Sequence, residues 1–201
     1  NSSKECYEFN KYMMNNISDK EIKNVVLTAR WIVYTKGRSN IEPLNETNPL
    51  LVTYGSNNKD ISSDQAIKNL EKHLIETIDV INSLGATVWI IEQPPEQQLL
   101  SPPDQLAQYS IRGKDISNLG VERSVHQNRE SYVSEIMHSI AQKNQRVHII
   151  SPDVVLCDDK KCNIEYQGKS IYRDDDHLTV SGSKIIKPLF NDFIMKNLVM
   201  K

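Results

Sequence analysis

Residues 63–91, SDQAIKNLEKHLIETIDVINSLGATVWII, join a helical pattern to a strand pattern and decide the fold class. In the first part, apolar residues recur at three- and four-residue spacing, which predicts a helix from Ser63 to Leu84 with one apolar face. A capping-box sequence precedes this helix, and Gly85 supplies a stop after it. The run Val88–Ile91 that follows is continuous and rich in β-branched residues, which is typical of a strand buried on both faces.

Similar patterns lie on both sides of this unit. Asn24–Ala29 and Val147–Ile150 contain two more near-continuous apolar runs, and a helical pattern from Glu122 to Lys143 precedes the second. Another helix is predicted from Thr179 to Asn197, with Pro188 as a possible kink. Residues 35–60 and 94–103 are predicted as loops or small excursions above the sheet, with a possible short extra strand at residues 50–54. Strands that alternate with helices predict an α/β fold, here a three-layer α/β/α sandwich around a mostly parallel sheet. No linker divides the chain, so we expect a single domain over residues 1–201.

Composition excludes several classes of protein. The chain has 24 basic and 26 acidic residues and a net charge of −2, whereas general nucleic-acid binders usually carry a basic excess. It is 38% hydrophobic and 25% charged, which is typical of a folded globular domain and not of a disordered chain. No apolar run approaches the roughly 18 residues that a membrane-spanning helix needs.

The strongest chemical signal is the stretch YRDDDHLTVSG at residues 172–182. Asp174 lies three residues before His177, where its carboxylate can accept a hydrogen bond from the imidazole Nδ1–H. That bond fixes the tautomer and leaves Nε2 able to take a proton from a serine hydroxyl. Thr179 is a plausible N-cap for the following helix, which would place the histidine in a rigid turn.

Two other interpretations of this stretch stay open at this point. Acidic residues beside a histidine are often a solvated turn. Asp174, Asp176 and His177 could also bind a divalent cation, but the sequence offers no second cluster to complete the coordination shell, and we expect no metal. The remaining histidines have no sequence neighbour that suggests chemistry, and we expect structural roles for them.

The chain has three cysteines, so at least one lacks a partner within it. Cys157 and Cys162 bracket a short polar turn, and their spacing suits a small disulfide loop, which requires an oxidising compartment. The alternatives are two free thiols or a zinc site, and a zinc site would need two more soft ligands that are not evident.

Three stretches together resemble a known family. They are NVVLTARW at Asn24–Trp31, the paired Cys157 and Cys162, and the Tyr172–Gly182 stretch quoted above. The combination is similar to the SGNH domains fused behind the membrane-embedded domain of bacterial type-3 acyltransferases, which acetylate O-antigens and other envelope polysaccharides. The likeness extends from about Cys6 to the C-terminus.

The resemblance implies a Ser–His–Asp mechanism with His177 as the general base and Asp174 as its orienting acid. It implies that Cys157 and Cys162 form a disulfide and that Cys6 pairs, if at all, outside this sequence. Arg30 and Trp31 occupy the strand end where the family usually carries a Gly-x-Asn-Asp block. They are therefore candidates for oxyanion or substrate contacts, although Trp31 could equally be a core or lid residue and Arg30 part of an ion pair.

The resemblance also implies a cellular setting. The domain is expected at the periplasmic or other extracytoplasmic face of the inner membrane, with a polysaccharide acceptor and a fused or associated membrane acyltransferase domain as partners. No cofactor is expected, because the acyl group would reach the domain from acetyl-CoA through the membrane domain. No nucleic acid is expected as a partner.

One part of the family pattern is missing. These domains carry their nucleophile in a Gly-Asp-Ser block after the first strand, and this sequence contains no such block. Gly55-Ser56 lacks the aspartate and is better explained as a loop serine. We therefore expect the N-terminal strand and the nucleophile to lie outside these residues. The alternatives are a non-catalytic glycan-binding domain or a stand-alone secreted carbohydrate esterase.

Overall fold

A computed structural model of the protein describes residues 2–36, 62–99, 101–116, 119–191 and 193. The strands are β1 (Asn24–Thr28), β2 (Thr87–Ile91), β3 (Val121–Glu122), β4 (Val147–Ile150), β5 (Lys161–Cys162), β6 (Glu165–Tyr166) and β7 (Lys169–Ser170). The helices are α1 (Ser2–Asp19), α2 (Val33–Lys36), α3 (Ser63–Ser83), α4 (Pro102–Ile111), α5 (Arg123–Lys143), α6 (Asp153–Leu156) and α7 (Val180–Ile186), and a 3-10 helix follows at Lys187–Phe190.

The main sheet consists of the three predicted apolar runs. Its strands are parallel and lie in the order β1–β2–β4, with Leu27 opposite Ile90 and Ile90 opposite Ile149. The α/β class with a parallel sheet is therefore confirmed. Because the strands are parallel, their carboxyl ends share one edge of the sheet, where ligands usually bind in such folds.

The two faces of the sheet are covered differently. On one face, Val88 and Ile90 pack in a core with α3 and α5, and Ile78 and Met137 are fully buried there. Each such side chain contributes about 1.5–3 kcal/mol of stabilisation. On the other face, the Trp89 ring lies beside His148 and meets Phe193 edge-on, with ring centroids 4.4 and 5.3 Å away.

The helices agree with the sequence patterns except near prolines. The Ser62 hydroxyl accepts a 3.2 Å hydrogen bond from Gln65 N and begins α3 as predicted. The helix predicted from Thr179 is interrupted at Pro188, where the sequence suggested a kink, because α7 ends at Ile186 and a 3-10 helix that contains Pro188 follows. The predicted end at Asn197 lies outside the described residues. Proline has no N–H to continue the α-helical ladder.

Two helices, α2 and α4, overlap the ends of the stretches predicted as loops. The Pro102-Pro103 pair that suggested a loop instead starts α4, because proline fits the first helical turn, where no intrahelical N–H donor is needed. The expected extra strand at residues 50–54 and the Gly55-Ser56 pair lie outside the described residues. Within the described ranges, every helix is too short or too polar to cross a bilayer.

A second, smaller core supports the C-terminal stretch. Leu156, Ile164, Ile171 and Tyr172 are almost completely buried in it, and Leu178 packs against it. This core therefore holds the chain on both sides of the acidic turn that carries the candidate histidine.

Candidate active site

The turn at residues 173–177 is fixed at both ends. Arg173 N donates to His177 O at 2.8 Å, and Thr179 N donates to Ile171 O at 3.0 Å. The Thr179 hydroxyl accepts from Gly182 N at 3.1 Å, which confirms the predicted N-cap of α7. The histidine thus lies in a short, closed turn directly before a capped helix.

His177 and Asp174 have the predicted geometry. The imidazole Nδ1 lies 2.9 Å from Asp174 Oδ1 and 3.1 Å from Oδ2. The side chain of His177 is 71% exposed, so its ring is accessible to a reacting molecule. When Nδ1 carries the proton, it donates to the carboxylate, and Nε2 has the lone pair that a general base needs.

Backbone N–H groups hold the carboxylate of Asp174. Its Oδ1 accepts from His177 N at 2.8 Å and from Asp176 N at 3.2 Å. Partial burial opposes ionisation, but these N–H donors and the neighbouring His177 outweigh it and hold the pKa of Asp174 below its ordinary value. The aspartate is therefore an ionised hydrogen-bond acceptor that can stabilise an imidazolium.

Asp176 is a second acid at the same histidine, and the sequence pattern did not single it out for that role. Its Oδ1 lies 2.9 Å from His177 Nδ1, and its side chain is only 10% exposed, compared with 38% for Asp174. Burial raises the pKa of Asp176, while Arg30 and His177 oppose that rise.

Arg30 lies within an ion-pair network. Its Nε is 2.8 Å from Glu96 Oε1 and 3.0 Å from Asp176 Oδ2, and one terminal nitrogen is 3.4 Å from Asp175 Oδ2. Of the two alternatives for this residue, the contacts favour the ion pair. The structure also brings ligand atoms of Asp174, Asp176 and His177 within 4.8 Å of one another, with Arg30 beside Asp176.

Trp31 belongs to the main core. It is 8% exposed, and its indole N–H donates to Ile91 O at 2.8 Å across the end of the sheet. These contacts favour the core alternative for Trp31. Its polar atom is satisfied within the fold, as expected of a buried tryptophan.

Cys157 and Cys162 form a disulfide. Cys162 lies in β5, opposite Val121 of β3, and is completely buried. The predicted pairing is confirmed. Cys6 is a free thiol on exposed α1.

An acidic cluster that no sequence motif indicated lies at the carboxyl end of β2. Glu92, Glu96 and Glu130 are buried near one another. Burial and the charges of Glu92, Glu96 and Asp153 raise the pKa of Glu130 to about 9, so it is protonated at neutral pH. A cleft of about 370 Å³ opens here, lined among others by Glu92, Gln93, His126, Glu130, Ser134 and His138.

Two of the histidines for which structural roles were expected have carboxylate neighbours in this cluster. His126 Nδ1 lies 3.6 Å from Glu130 Oε1, and His138 Nε2 lies 3.4 Å from Glu92 Oε1. The four-residue spacing of His126 and Glu130 on a helix was the available signal for the first pair. The second pair joins residues from different elements and has no local signal.

Comparison with known proteins identifies a similar fold and a matching family. The fold is similar to the structure of the Salmonella ser. Paratyphi A lipopolysaccharide acetyltransferase periplasmic domain, with 17% sequence identity and a TM-score of 0.57. The similarity covers 92% of this chain and 62% of that one, so the chain spans less than two thirds of its length. No curated protein matches the sequence significantly. The family model described as "SGNH domain (fused to AT3 domains)" matches residues 1–192, and the chain therefore belongs to that family of SGNH domains.

Proposed function

We propose that this domain transfers acyl groups, most simply acetyl, to an envelope polysaccharide by a Ser–His–Asp mechanism. The observation that carries the proposal is the accessible His177 ring, held at Nδ1 by an ionised Asp174. Membership of a family of domains fused to AT3 domains supports the reaction class. The polysaccharide acceptor is suggested by the lipopolysaccharide acetyltransferase whose periplasmic domain has a similar fold.

In this proposal the nucleophile is a serine outside the residues of this sequence. His177 Nε2 takes the serine proton as the serine oxygen bonds to the acyl carbon of the donor. The imidazolium, stabilised by Asp174, returns that proton to the departing group of the donor. A sugar hydroxyl then gives its proton to Nε2 and attacks the acyl-enzyme, and the released serine recovers the proton. Water in place of the sugar gives ester hydrolysis.

Charge develops on the acyl oxygen in both steps and needs hydrogen-bond donors. The candidates are the backbone N–H groups at the end of β1, because the guanidinium of Arg30 is already paired with carboxylates. We propose no direct part for the indole of Trp31, because its N–H is used within the core. No metal or organic cofactor is required by this sequence of proton transfers.

We place the domain at the extracytoplasmic face of the inner membrane. The Cys157–Cys162 disulfide supports this location, because such bonds persist in oxidising compartments. A fused membrane domain would supply acyl groups derived from acetyl-CoA.

The experiment compares the full-length natural protein with its His177→Ala variant in release of p-nitrophenol from p-nitrophenyl acetate. Loss of the general base is expected to lower the rate by about 10²-fold or more. The matched control is His138→Ala, which removes a half-exposed histidine from α5 and should leave the rate within about twofold. Equal rates for the wild type and His177→Ala would refute the assignment.

A further inference from the structure

His177 Nδ1 has two carboxylate neighbours but only one proton to donate. Asp174 accepts the hydrogen bond with both oxygens in reach, and it is anchored by backbone N–H groups of its own turn. Asp176 Oδ1 approaches the same nitrogen at 2.9 Å as an ion-pair contact. The two acids therefore have different roles, because one accepts the hydrogen bond and the other places a negative charge beside the same nitrogen.

The surroundings of Asp176 make that charge effective. Its side chain is 10% exposed, and a buried charge interacts more strongly with its neighbours than an exposed one because the local dielectric is lower. The same burial favours the neutral acid, which would remove the charge. Something must therefore keep Asp176 ionised.

Arg30 provides the compensating charge. Its Nε lies 3.0 Å from Asp176 Oδ2, the oxygen that does not face the histidine. The guanidinium is itself held by Glu96, at 2.8 Å, and the other oxygen of Glu96 is 2.8 Å from Arg129 Nε on α5. Gln93 Nε2 also donates to Glu96 at 3.0 Å.

The result is a row of alternating charges from α5 to the histidine: Arg129, Glu96, Arg30, Asp176 and His177. A backbone bond from Gln97 N to Asp175 O, 2.7 Å long, ties the loop after β2 to the same turn. The row thus joins the ends of β1 and β2 to the turn before α7. A carboxylate held on both oxygens, as Asp176 is, has little freedom to leave the histidine.

We propose that Asp176 is a positioning residue for His177, held in place by Arg30, and that this pair fixes the imidazole in the orientation in which Nε2 can accept a proton. This deepens the proposed function, since a ring that is already oriented takes the proton of an attacking hydroxyl more readily. The charged groups that face His177 in this arrangement are Asp174 and Asp176, with Arg30 and Asp175 behind them.

The test measures the reactivity of His177 toward a modifying reagent in the absence of substrate. The protein is treated with diethyl pyrocarbonate over a range of pH, and peptide mass spectrometry gives the modification rate of His177, with His138 as the internal reference. Asp176→Asn removes the inner charge. Asp175→Asn is the matched control, because Asp175 also pairs with Arg30 but has no contact with the imidazole.

In Asp176→Asn, the pH profile of His177 modification should depart from that of the wild type, because the imidazole loses its contact with the Asp176 carboxylate. In Asp175→Asn the profile should coincide with the wild type. An unchanged profile in Asp176→Asn, or equal shifts in both variants, would overturn the proposal, since a merely structural role would affect both alike.

Arg30→Gln adds a test of the pairing. An unanchored Asp176 turns toward solvent or takes up a proton, so the profile should move in the same direction as in Asp176→Asn. The double variant should show no further shift, and additive shifts would show that Arg30 acts independently. If Arg30→Gln does not fold, as judged by circular dichroism, the two aspartate variants decide alone. Because no acyl transfer is measured, these results stand even if His177→Ala retains esterase activity.

Discussion

At the scale of single residues, the site divides into a part that is local in sequence and a part that is not. Asp174 and His177 are three residues apart in one turn, so their spacing alone predicted the hydrogen bond. Arg30 reaches Glu96 across 66 residues and Asp175 across 145, and no local pattern encodes such contacts. They arise because parallel strands bring their carboxyl ends to one edge of the sheet.

Gly182 shows why a glycine follows the histidine motif. A Cβ at this position would lie 2.2 Å from Ile171 O, so the first turn of α7 fits against the second core only without a side chain. Gly182→Ala should therefore lower the free energy of unfolding by about 1–3 kcal/mol through overpacking. Urea unfolding measures this, with exposed Ser183→Ala as the control, and equal stability of the two variants would contradict the packing account.

At the scale of elements, caps and cross-links decide where the chain around the site is held. The sequence located α3 and α5 by their apolar periodicity and the sheet strands by their continuous apolar runs. It suggested a kink at Pro188, where α7 gives way to a 3-10 helix. It did not predict α4, because the Pro102-Pro103 pair that begins this helix is also common in loops.

The hydroxyl of Thr179 is expected to stabilise the start of α7. This hydroxyl accepts from Gly182 N and donates to Ser170 O at 2.9 Å, so it joins α7 to β7. Thr179→Ala should cost about 1 kcal/mol of stability, and Thr179→Ser should recover most of it. Thermal unfolding of both variants tests the cap. A serine variant as unstable as the alanine variant would point to the lost methyl group instead.

The Cys157–Cys162 disulfide is expected to stabilise the same region of the fold. It closes a short loop beside the pair β3–β5, and loop-closure entropy for so small a ring is worth about 2 kcal/mol. Replacing both cysteines by serine should lower stability by that order in guanidinium unfolding. Cys6→Ser, at an exposed free thiol, should have no effect. A double variant as stable as the wild type would show that the bond contributes nothing.

At the scale of the whole molecule, the buried carboxyl cluster makes stability depend on pH. Folding raises the pKa of Glu130 from 4.5 to about 9, mainly by burial. The folded protein therefore holds a proton that the unfolded chain releases in this window, and stability falls as pH rises through it. This consequence was invisible in the sequence, because it depends on Glu130 of α5 lying against Glu92 and Glu96, which follow β2.

Glu130→Gln should remove that dependence. The amide has a similar shape and cannot ionise. The difference in free energy of unfolding between the variant and the wild type should therefore be at least about 1.4 kcal/mol more favourable to the variant near pH 8 than near pH 5. Urea unfolding at the two pH values measures this. Glu135→Gln, at an exposed position of the same helix, is the control. Parallel pH profiles for Glu130→Gln and the wild type would contradict a protonated Glu130.

The central claim is that Asp174 and His177 act together as the acid and base of acyl transfer. The most direct measurement is kcat/KM for p-nitrophenyl acetate in the full-length natural protein with Asp174→Asn or Asp175→Asn. The two changes are chemically identical and adjacent, but only Asp174 accepts the Nδ1–H bond. We predict a loss of about 10²-fold or more for Asp174→Asn and less than about threefold for Asp175→Asn. Equal values for the two variants, or a larger loss in Asp175→Asn, would contradict the account.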